Sequence, residues 1–480
     1  MVLWSAAEAV RATGGLSNVP WDADGVSIDT RTLQPGDLFV ALTDIRDGHD
    51  FVAQALEKGA AAALVSRRPN GISKNAPLLI VDDVLRALEA LGMAARARSN
   101  AKIIAVTGSV GKTSTKEMLR IILQYQGRTH ASMASYNNHW GVPLTLARMP
   151  IDTEFGIFEI GMNHPGEIAP LSQMVKPHVA MITTIAPAHM EAFASIDAIA
   201  HEKASVMTGL CSGGAAILPA DVKSINILVQ AALAQNATIV GFGEKAEAFR
   251  LVAMEIHRDV TVIQARIRGA PAALRLNTAG RHFAVNAMGA LAAVEAMAGD
   301  PGRAAVDLFR WEPPAGRGRR ETIVIDAALS NASFELIDDA YNANPSSMAA
   351  ALEVLAAATP RTLDGVTSNV RRVAILGDML ELGSEEIELH SDIACNPHLS
   401  MVDIVHCIGP RMKACHAKLP VDIRGSWTNT AEVFAADLAS LIAVGDVVLV
   451  KGSMGSKLSL IVDLLRKLGH RSSPDAQKET

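Results

Sequence analysis

Residues 103–116 concentrate phosphate-binding chemistry in one short stretch. The apolar run Ile103-Ile104-Ala105-Val106 turns through Gly108 and Gly111 and enters a helical pattern at Lys112-Thr113. Glycines let backbone N–H groups approach an anion closely, and a helix start adds partial positive charge. A lysine there reaches the outer phosphates, and a threonine hydroxyl serves Mg²⁺. Thr107-Gly108-Ser109-Val110-Gly111-Lys112-Thr113-Ser114 is therefore a candidate ATP and Mg²⁺ site. The usual pattern has a glycine where this chain has Val106. A ligand-free glycine-rich turn is the alternative, and it gives no reason for Lys112 and Thr113 to sit together.

Other polar groups fall where strands should end, which is where open parallel sheets gather ligands. Glu159 closes the run Phe155-Gly156-Ile157-Phe158 and can hold Mg²⁺ or simply pair with a base. His189 follows the next apolar run and is either a satisfied loop histidine or a site group. Lys203, in a helical pattern over 196–210, reads locally as a solvated lysine. Asn286 heads an alanine-rich helix expected over 286–298, where it caps that helix or reads a base edge. Gly316-Arg317-Gly318-Arg319-Arg320 is a phosphate clamp or linker charge. In Asp338-Asp339-Ala340-Tyr341-Asn342-Ala343-Asn344-Pro345, turn chemistry explains Asn344-Pro345 but not the paired aspartates. Leu376-Gly377-Asp378 and Val450-Lys451-Gly452-Ser453 are further polar strand ends.

The elements that must position these groups follow from length and pattern. A chain of 480 residues exceeds one hydrophobic core, and its 49% hydrophobic but 4% aromatic composition suits an α/β protein better than a β-sandwich. Three domains are expected. A small N-terminal α/β domain spans 1–99. A central P-loop domain, with a mostly parallel sheet and helices on both faces, spans 100–313. A C-terminal Rossmann-like α/β domain spans 314–480. Strands are expected at 103–106, 155–160, 179–184, 372–376, 404–408 and 447–450. Residues 249–276 read as a small antiparallel subsheet. The segment 359–371 reads as a surface loop and 472–480 as a polar, disordered end. Breaks near Asn100 and at Trp311-Glu312-Pro313-Pro314-Ala315-Gly316 are where few contacts should cross. The free protein is then expected to be open, with residues from Asp338 onward too far from the P-loop to act until ligands close it.

Composition excludes several roles. A net charge of −6 with no basic run gives no reason to expect nucleic acid or an anionic membrane as partner. Cys211, Cys395, Cys407 and Cys415 lack metal-ligand spacing and read as reduced thiols. No secretion signal and no run of ~20 apolar residues is visible. The expectation is a cytoplasmic enzyme that acts on small-molecule substrates as a monomer.

Taken together, these motifs resemble the Mur ligase family of ATP-dependent peptidoglycan-precursor ligases. The likeness runs from Asp29-Thr30-Arg31-Thr32-Leu33-Gln34-Pro35-Gly36-Asp37 to Lys451-Gly452-Ser453. It implies that a carboxylate is phosphorylated by ATP and the acyl phosphate is then attacked by an amine. The strings over 338–345 and 376–383 select, within the family, D-alanyl-D-alanine as amine and UDP-N-acetylmuramoyl-tripeptide as carboxylate. Diaminopimelate- or lysine-adding relatives, folylpolyglutamate synthase-like ligases and a non-ligating P-loop ATPase are the alternatives. The resemblance implies nucleotide and Mg²⁺ roles for Asn138, Glu159 and His189. It makes Lys203 a carbamoylated ligand of a second Mg²⁺, so that Thr113, Glu159, His189 and Lys203 hold two ions. It gives Asn286 and Arg317 to adenine and phosphate, and Asp339 to the junction of substrate and nucleotide. Thr30, Arg31, Thr32, Asp47, Gly48 and His49 are expected at the UDP-sugar. Asn163, Asp338, Tyr341, Asn342 and Asn344 are expected at the remaining substrate groups.

Overall fold

Alternation along the strand Lys102–Thr107 explains the central sheet. Ile104 and Val106 enter one core with the helices Lys112–Leu123 and Arg281–Ala296. Ile103 and Ala105 enter a second core with the helices Ile168–Val175 and Ile196–Ala204. A strand buried on both faces needs helices on both sides, the arrangement of parallel sheets. The computed structural model describes residues 2–257, 260–325, 332–358 and 371–471. The polar end 472–480 and nearly all of the loop expected over 359–371 lie outside the described residues.

The central sheet has nine strands. From Thr129–Ala131 at one edge it runs through Phe155–Glu159, Lys102–Thr107, Val179–Ile182, Ala215–Pro219 and Thr238–Gly243, all parallel. Phe249–His257, Val260–Ile267 and Ala270–Leu276 complete it as an antiparallel meander. The expected separate subsheet is therefore an extension of the main one. Phe249 pairs with Phe242 across a parallel junction, and Phe249, Leu251 and Ile263 share the core of Phe242.

A five-stranded sheet built on Asp37–Val40 and Ala62–Val65 forms the N-terminal unit. A seven-stranded sheet forms the C-terminal unit, with Arg372–Gly377, Ile404–Ile408, Val447–Lys451 and Ser333–Asp339 parallel. Its strand Arg319–Val324 is antiparallel to Ser333–Asp339. Three α/β units with a mostly parallel central sheet are thus present, as the patterning requires.

The junction near Asn100 differs from expectation, because many contacts cross it. The helix Val84–Arg98 packs on Gly141–Ala147, and Leu144 and Ala147 belong to the N-terminal core. Trp4 donates its indole N–H to the Ala147 carbonyl at 2.8 Å, and Arg96 reaches the carbonyls of Val175 and Lys176 at 2.8 and 2.9 Å. A Cβ on Gly92 would sit 3.0 Å from the Pro143 carbonyl oxygen, so the two helices meet backbone to backbone. The apolar stripe of Val84–Arg98 must be covered, and the second unit covers it. At the other junction Trp311 is fully buried against Phe283, with ring centroids 5.0 Å apart. It belongs to the central core, so the break begins after it.

Candidate active site

The P-loop strand lies between Phe155–Glu159 and Val179–Ile182. Register pairs Glu159 with Val106 and Ile182 with Thr107, so all three strands end at one level. The chain leaves Thr107 through Gly108 (φ 147°) and Gly111 (φ 88°), both conformations that side chains resist. Space forbids side chains as well. A Cβ on Gly108 would lie 1.9 Å from Thr183 Oγ1, and one on Gly111 would lie 2.7 Å from Asn286 Nδ2. Thr183 donates to the Val110 carbonyl at 2.6 Å and Ser109 to that of Ala186 at 2.9 Å, which fixes the loop. Gly111 at the N-cap offers no side chain to cap the helix Lys112–Leu123, which suits its first amides to an anion.

A cavity of about 770 Å³ opens above these strand ends. Lys112 lines it and donates to the Gly108 carbonyl at 2.8 Å. Burial lowers its pKa; Glu159 opposes that shift and Arg317 adds to it. Thr113 Oγ1 lies 3.2 Å from Glu159 Oε1 and 3.2 Å from Ser135 Oγ. Asn137 donates to the same Glu159 oxygen at 2.7 Å, while Oε2, also buried, has no hydrogen-bond partner among the described residues. A hydroxyl beside a carboxylate with one unclaimed oxygen is a hard-oxygen donor set that fits Mg²⁺.

The far wall comes from the third unit. Asp339 and Lys451 sit opposite each other on adjacent parallel strands and pair at 2.7 Å. Burial raises the Asp339 pKa, against the pull of Lys451. Arg317 stacks its guanidinium 4.1 Å above the Tyr341 ring and reaches Ser135 Oγ at 3.4 Å. His189, in a left-handed backbone conformation (φ 57°), lies 2.5 Å from Glu381 through Nδ1. Contact with His189 holds the Glu381 carboxyl below its usual range. These contacts contradict the expected open arrangement, since the segment from Asp338 onward already meets the P-loop unit at one cavity.

Of the residues singled out from sequence, Ser109 to Ser114, Glu159, His189, Asn286, Arg317 and Asp339 come together here. Asn138, Asn163, Tyr341, Asn342 and Asn344 line the same cavity. Asn138 also accepts from the Gly141 amide, and Asn344 caps the helix Pro345–Ala357. Asn286 lies inside the helix Arg281–Ala296, which excludes the capping role. Thr107 stays beneath the loop, its carbonyl taken by the Thr183 amide. Arg319 and Arg320 are in a strand and pair with Glu321 and Glu335.

Thr107 and Gly108 fall outside the cavity lining, and so do three further groups. Asp338, on the opposite strand face to Asp339, is buried and binds Arg466 at 2.8 Å and the Gly316 amide at 3.0 Å, a structural clamp. Lys203 is buried in the last turn of Ile196–Ala204, where burial, then the Lys112 charge, hold its pKa well below that of an ordinary lysine. The solvated reading of Lys203 is therefore wrong. Thr30, Arg31, Thr32, Asp47, Gly48 and His49 lie in the N-terminal unit. Asp47 accepts from His49 and Arg67, Gly48 donates to the Leu42 carbonyl, and His49 accepts from the Ser66 amide. Arg31 is exposed and paired with Asp29 at 2.6 Å. Sequence reasoning does not single out Ser135 and Asn137; the polar run Ser135-Tyr136-Asn137-Asn138 between strand and helix is the signal that marks them. The four cysteines are free.

A P-loop unit facing a Rossmann-like unit across one shared cavity defines a nucleotide-dependent transfer enzyme. Models of the Mur ligase family, catalytic domain, the Mur ligase middle domain and the Mur ligase, glutamate ligase domain match residues 22–99, 106–294 and 320–454. The chain is 34% identical to the UDP-N-acetylmuramoyl-tripeptide--D-alanyl-D-alanine ligase of Rickettsia prowazekii, over 91% of this chain and 94% of that protein. It is 32% identical to the Escherichia coli enzyme of the same name, over 95% and 96%. A crystal structure of MurF from Acinetobacter baumannii superposes with a TM-score of 0.79 at 29% identity, covering 96% of this chain and 98% of that one. The chain belongs to the Mur ligase family and is a ligase.

Proposed function

We infer that this chain joins D-alanyl-D-alanine to UDP-N-acetylmuramoyl-tripeptide, using ATP and releasing ADP and phosphate. The observation that carries this reading is the shared cavity. Lys112 and the uncapped helix amides stand on one side, and Arg317 and the Asp339–Lys451 pair stand on the other. A carboxylate and an ammonium do not condense in water unaided, so the carboxylate must first be activated. Lys112 and the loop amides hold the outer phosphates in line with the tripeptide carboxylate, which takes the γ-phosphoryl group. Lys112 and Arg317 neutralise the charge that develops on that group. The dipeptide amine then attacks the acyl carbon and phosphate leaves. The cavity walls limit the water that would otherwise hydrolyse the acyl phosphate.

Thr113 and Glu159 are the residues suited to one Mg²⁺, which would supply charge neutralisation between the phosphates. His189 and Lys203 are assigned to a second ion. Burial shifts Lys203 toward the free amine, the form that takes up carbon dioxide, and its carbamate would offer oxygen where the amine cannot. Residues 1–99 are proposed to hold the UDP moiety, 100–313 ATP and 314–480 the dipeptide. No helix among the described residues is long and apolar enough to cross a membrane. A cytoplasmic monomer is the reading that goes with nucleotide-linked substrates.

Phosphate release tests the reading. Release should require both the UDP-muramoyl tripeptide and D-alanyl-D-alanine, and should match pentapeptide formed. Release indifferent to both would mean a non-ligating ATPase. Release with diaminopimelate or lysine in place of the dipeptide would mean another ligase of this family.

A further inference from the structure

Lys116 is fully buried, one turn after Thr113 on the P-loop helix. It lies outside the cavity lining, so the mechanism above gives it no task. Its ammonium donates to the carbonyls of Ser132 and Ala134 at 2.8 and 2.5 Å and pairs with Glu117 at 2.8 Å. A wholly buried ammonium carries a large desolvation cost, offset here by contacts to one short segment. That segment is bent sharply, with Ala134 at φ 46°, a left-handed conformation that alanine resists.

The segment 132–137 touches the threonine, the carboxylate and the arginine of the nucleotide end. The Ser132 hydroxyl accepts from the Glu159 amide at 3.2 Å. Ser135 meets both Thr113 at 3.2 Å and Arg317 at 3.4 Å. Asn137 donates to Glu159 at 2.7 Å and accepts from the Gly161 amide through its carbonyl at 2.8 Å. The Thr113–Glu159 pair assigned to Mg²⁺ above and the third unit's arginine are thus joined through one strained loop, and Lys116 is the post on which that loop hangs.

We propose that Lys116 is a positioning residue for the nucleotide and metal end, and that the loop it anchors links Thr113 and Glu159 to Arg317 of the C-terminal unit. The proposal rests on the reading of ATP and Mg²⁺ at the P-loop. Without the ammonium, the Ala134 carbonyl has no reason to stay in its strained position, and Ser135 and Asn137 drift from Thr113 and Glu159. A loss of one charged hydrogen-bond network at this point should weaken Mg²⁺-dependent nucleotide binding by about tenfold or more.

The test uses the full chain and measures ADP binding by calorimetry across a Mg²⁺ titration, with the KM values for ATP and D-alanyl-D-alanine alongside. Lys116→Met should stay folded by circular dichroism. It should shift the Mg²⁺ concentration for half-maximal binding upward about tenfold and raise KM for ATP, with KM for the dipeptide little changed. Ser135→Ala, which leaves Lys116 and its own partners in place, should shift the same Mg²⁺ curve, and its effect should not add to that of Lys116→Met. An unshifted Mg²⁺ curve in both variants, or a uniform loss of stability with intact Mg²⁺ and KM values, would overturn the proposal. A wild-type protein whose ADP binding ignores Mg²⁺ would instead overturn the nucleotide reading beneath it. If Lys116→Met does not fold, Ser135→Ala alone decides.

Discussion

Lys112 and Lys203 show two ways in which burial prepares a lysine. Lys112 has a carbonyl at 2.8 Å, and Glu159 works against the burial that lowers its pKa, which favours the ammonium that would meet phosphate. Lys112→Ala should fold normally and lose a factor of about 10²–10³ or more in kcat, the scale of one lost charge at a transferring phosphoryl group. Near-normal turnover in a folded variant would remove it from the site. Lys203, whose pKa is lowered by burial and then by the Lys112 charge, is suited to modification instead. Lys203→Ala should be inactive and partly rescued by a short added carboxylate such as propionate. Full activity without any additive would count against the carbamate. The P-loop was legible residue by residue, because glycine, lysine and threonine at that spacing have few other uses. Lys203 was not, since the cause of its perturbation is three-dimensional burial, and only the family resemblance marked it. Asp338 and Asp339 show the complementary limit. Adjacent residues on a strand face opposite ways, and sequence alone does not say which aspartate meets the cavity.

At the scale of elements, the strand patterns carried the most information. Buried parallel strands such as Ala62–Val65 and Ile404–Ile408 read directly from their apolar runs, whereas the meander after Phe249 did not reveal that it continues the main sheet. That continuity depends on one junction, Phe242 with Phe249, which has no local signature. The same burial has a consequence for pH. His130 and His406 have their pKa pushed down to about 4 chiefly by desolvation, as does His282 beside Lys451. The unfolded chain returns each to about 6.5. Between those values the unfolded state binds more protons, so stability is complete above about pH 6.5 and falls as pH drops toward 4. Each histidine contributes up to about 3 kcal/mol to that fall. Thermal midpoints measured between pH 7 and pH 4.5, where most carboxylates remain ionised, should decline steadily. A flat profile over that window would show that these imidazoles stay accessible to water.

For the whole molecule, two junctions behave differently. The first is packed: Trp4, Arg96 and the helix Val84–Arg98 tie the N-terminal unit to the central one. The second meets at the cavity, through His189 with Glu381 and Arg317 with Ser135, and beside it through Ala279 and Ile256, which pack with the core of the C-terminal unit. A fragment ending at Pro313 keeps Trp311 in its core and should bind ATP, with no peptide bond made. Loss of nucleotide binding in a folded fragment would place essential contacts in the third unit. The sequence marked three units but gave no account of how tightly each meets the next, because interface contacts such as Gly92 against Pro143 join residues with no shared local pattern.

The central claim is that ATP activates a carboxylate for attack by an amine within one cavity. It is tested most directly by following oxygen. The tripeptide's terminal carboxylate is labelled with ¹⁸O, and the phosphate released during ligation is analysed by mass spectrometry. Phosphoryl transfer to that carboxylate, followed by amine attack at the acyl carbon, leaves one labelled oxygen in each phosphate released. Unlabelled phosphate formed at the rate of ligation would contradict the account, because the carboxylate could not then have carried the phosphoryl group.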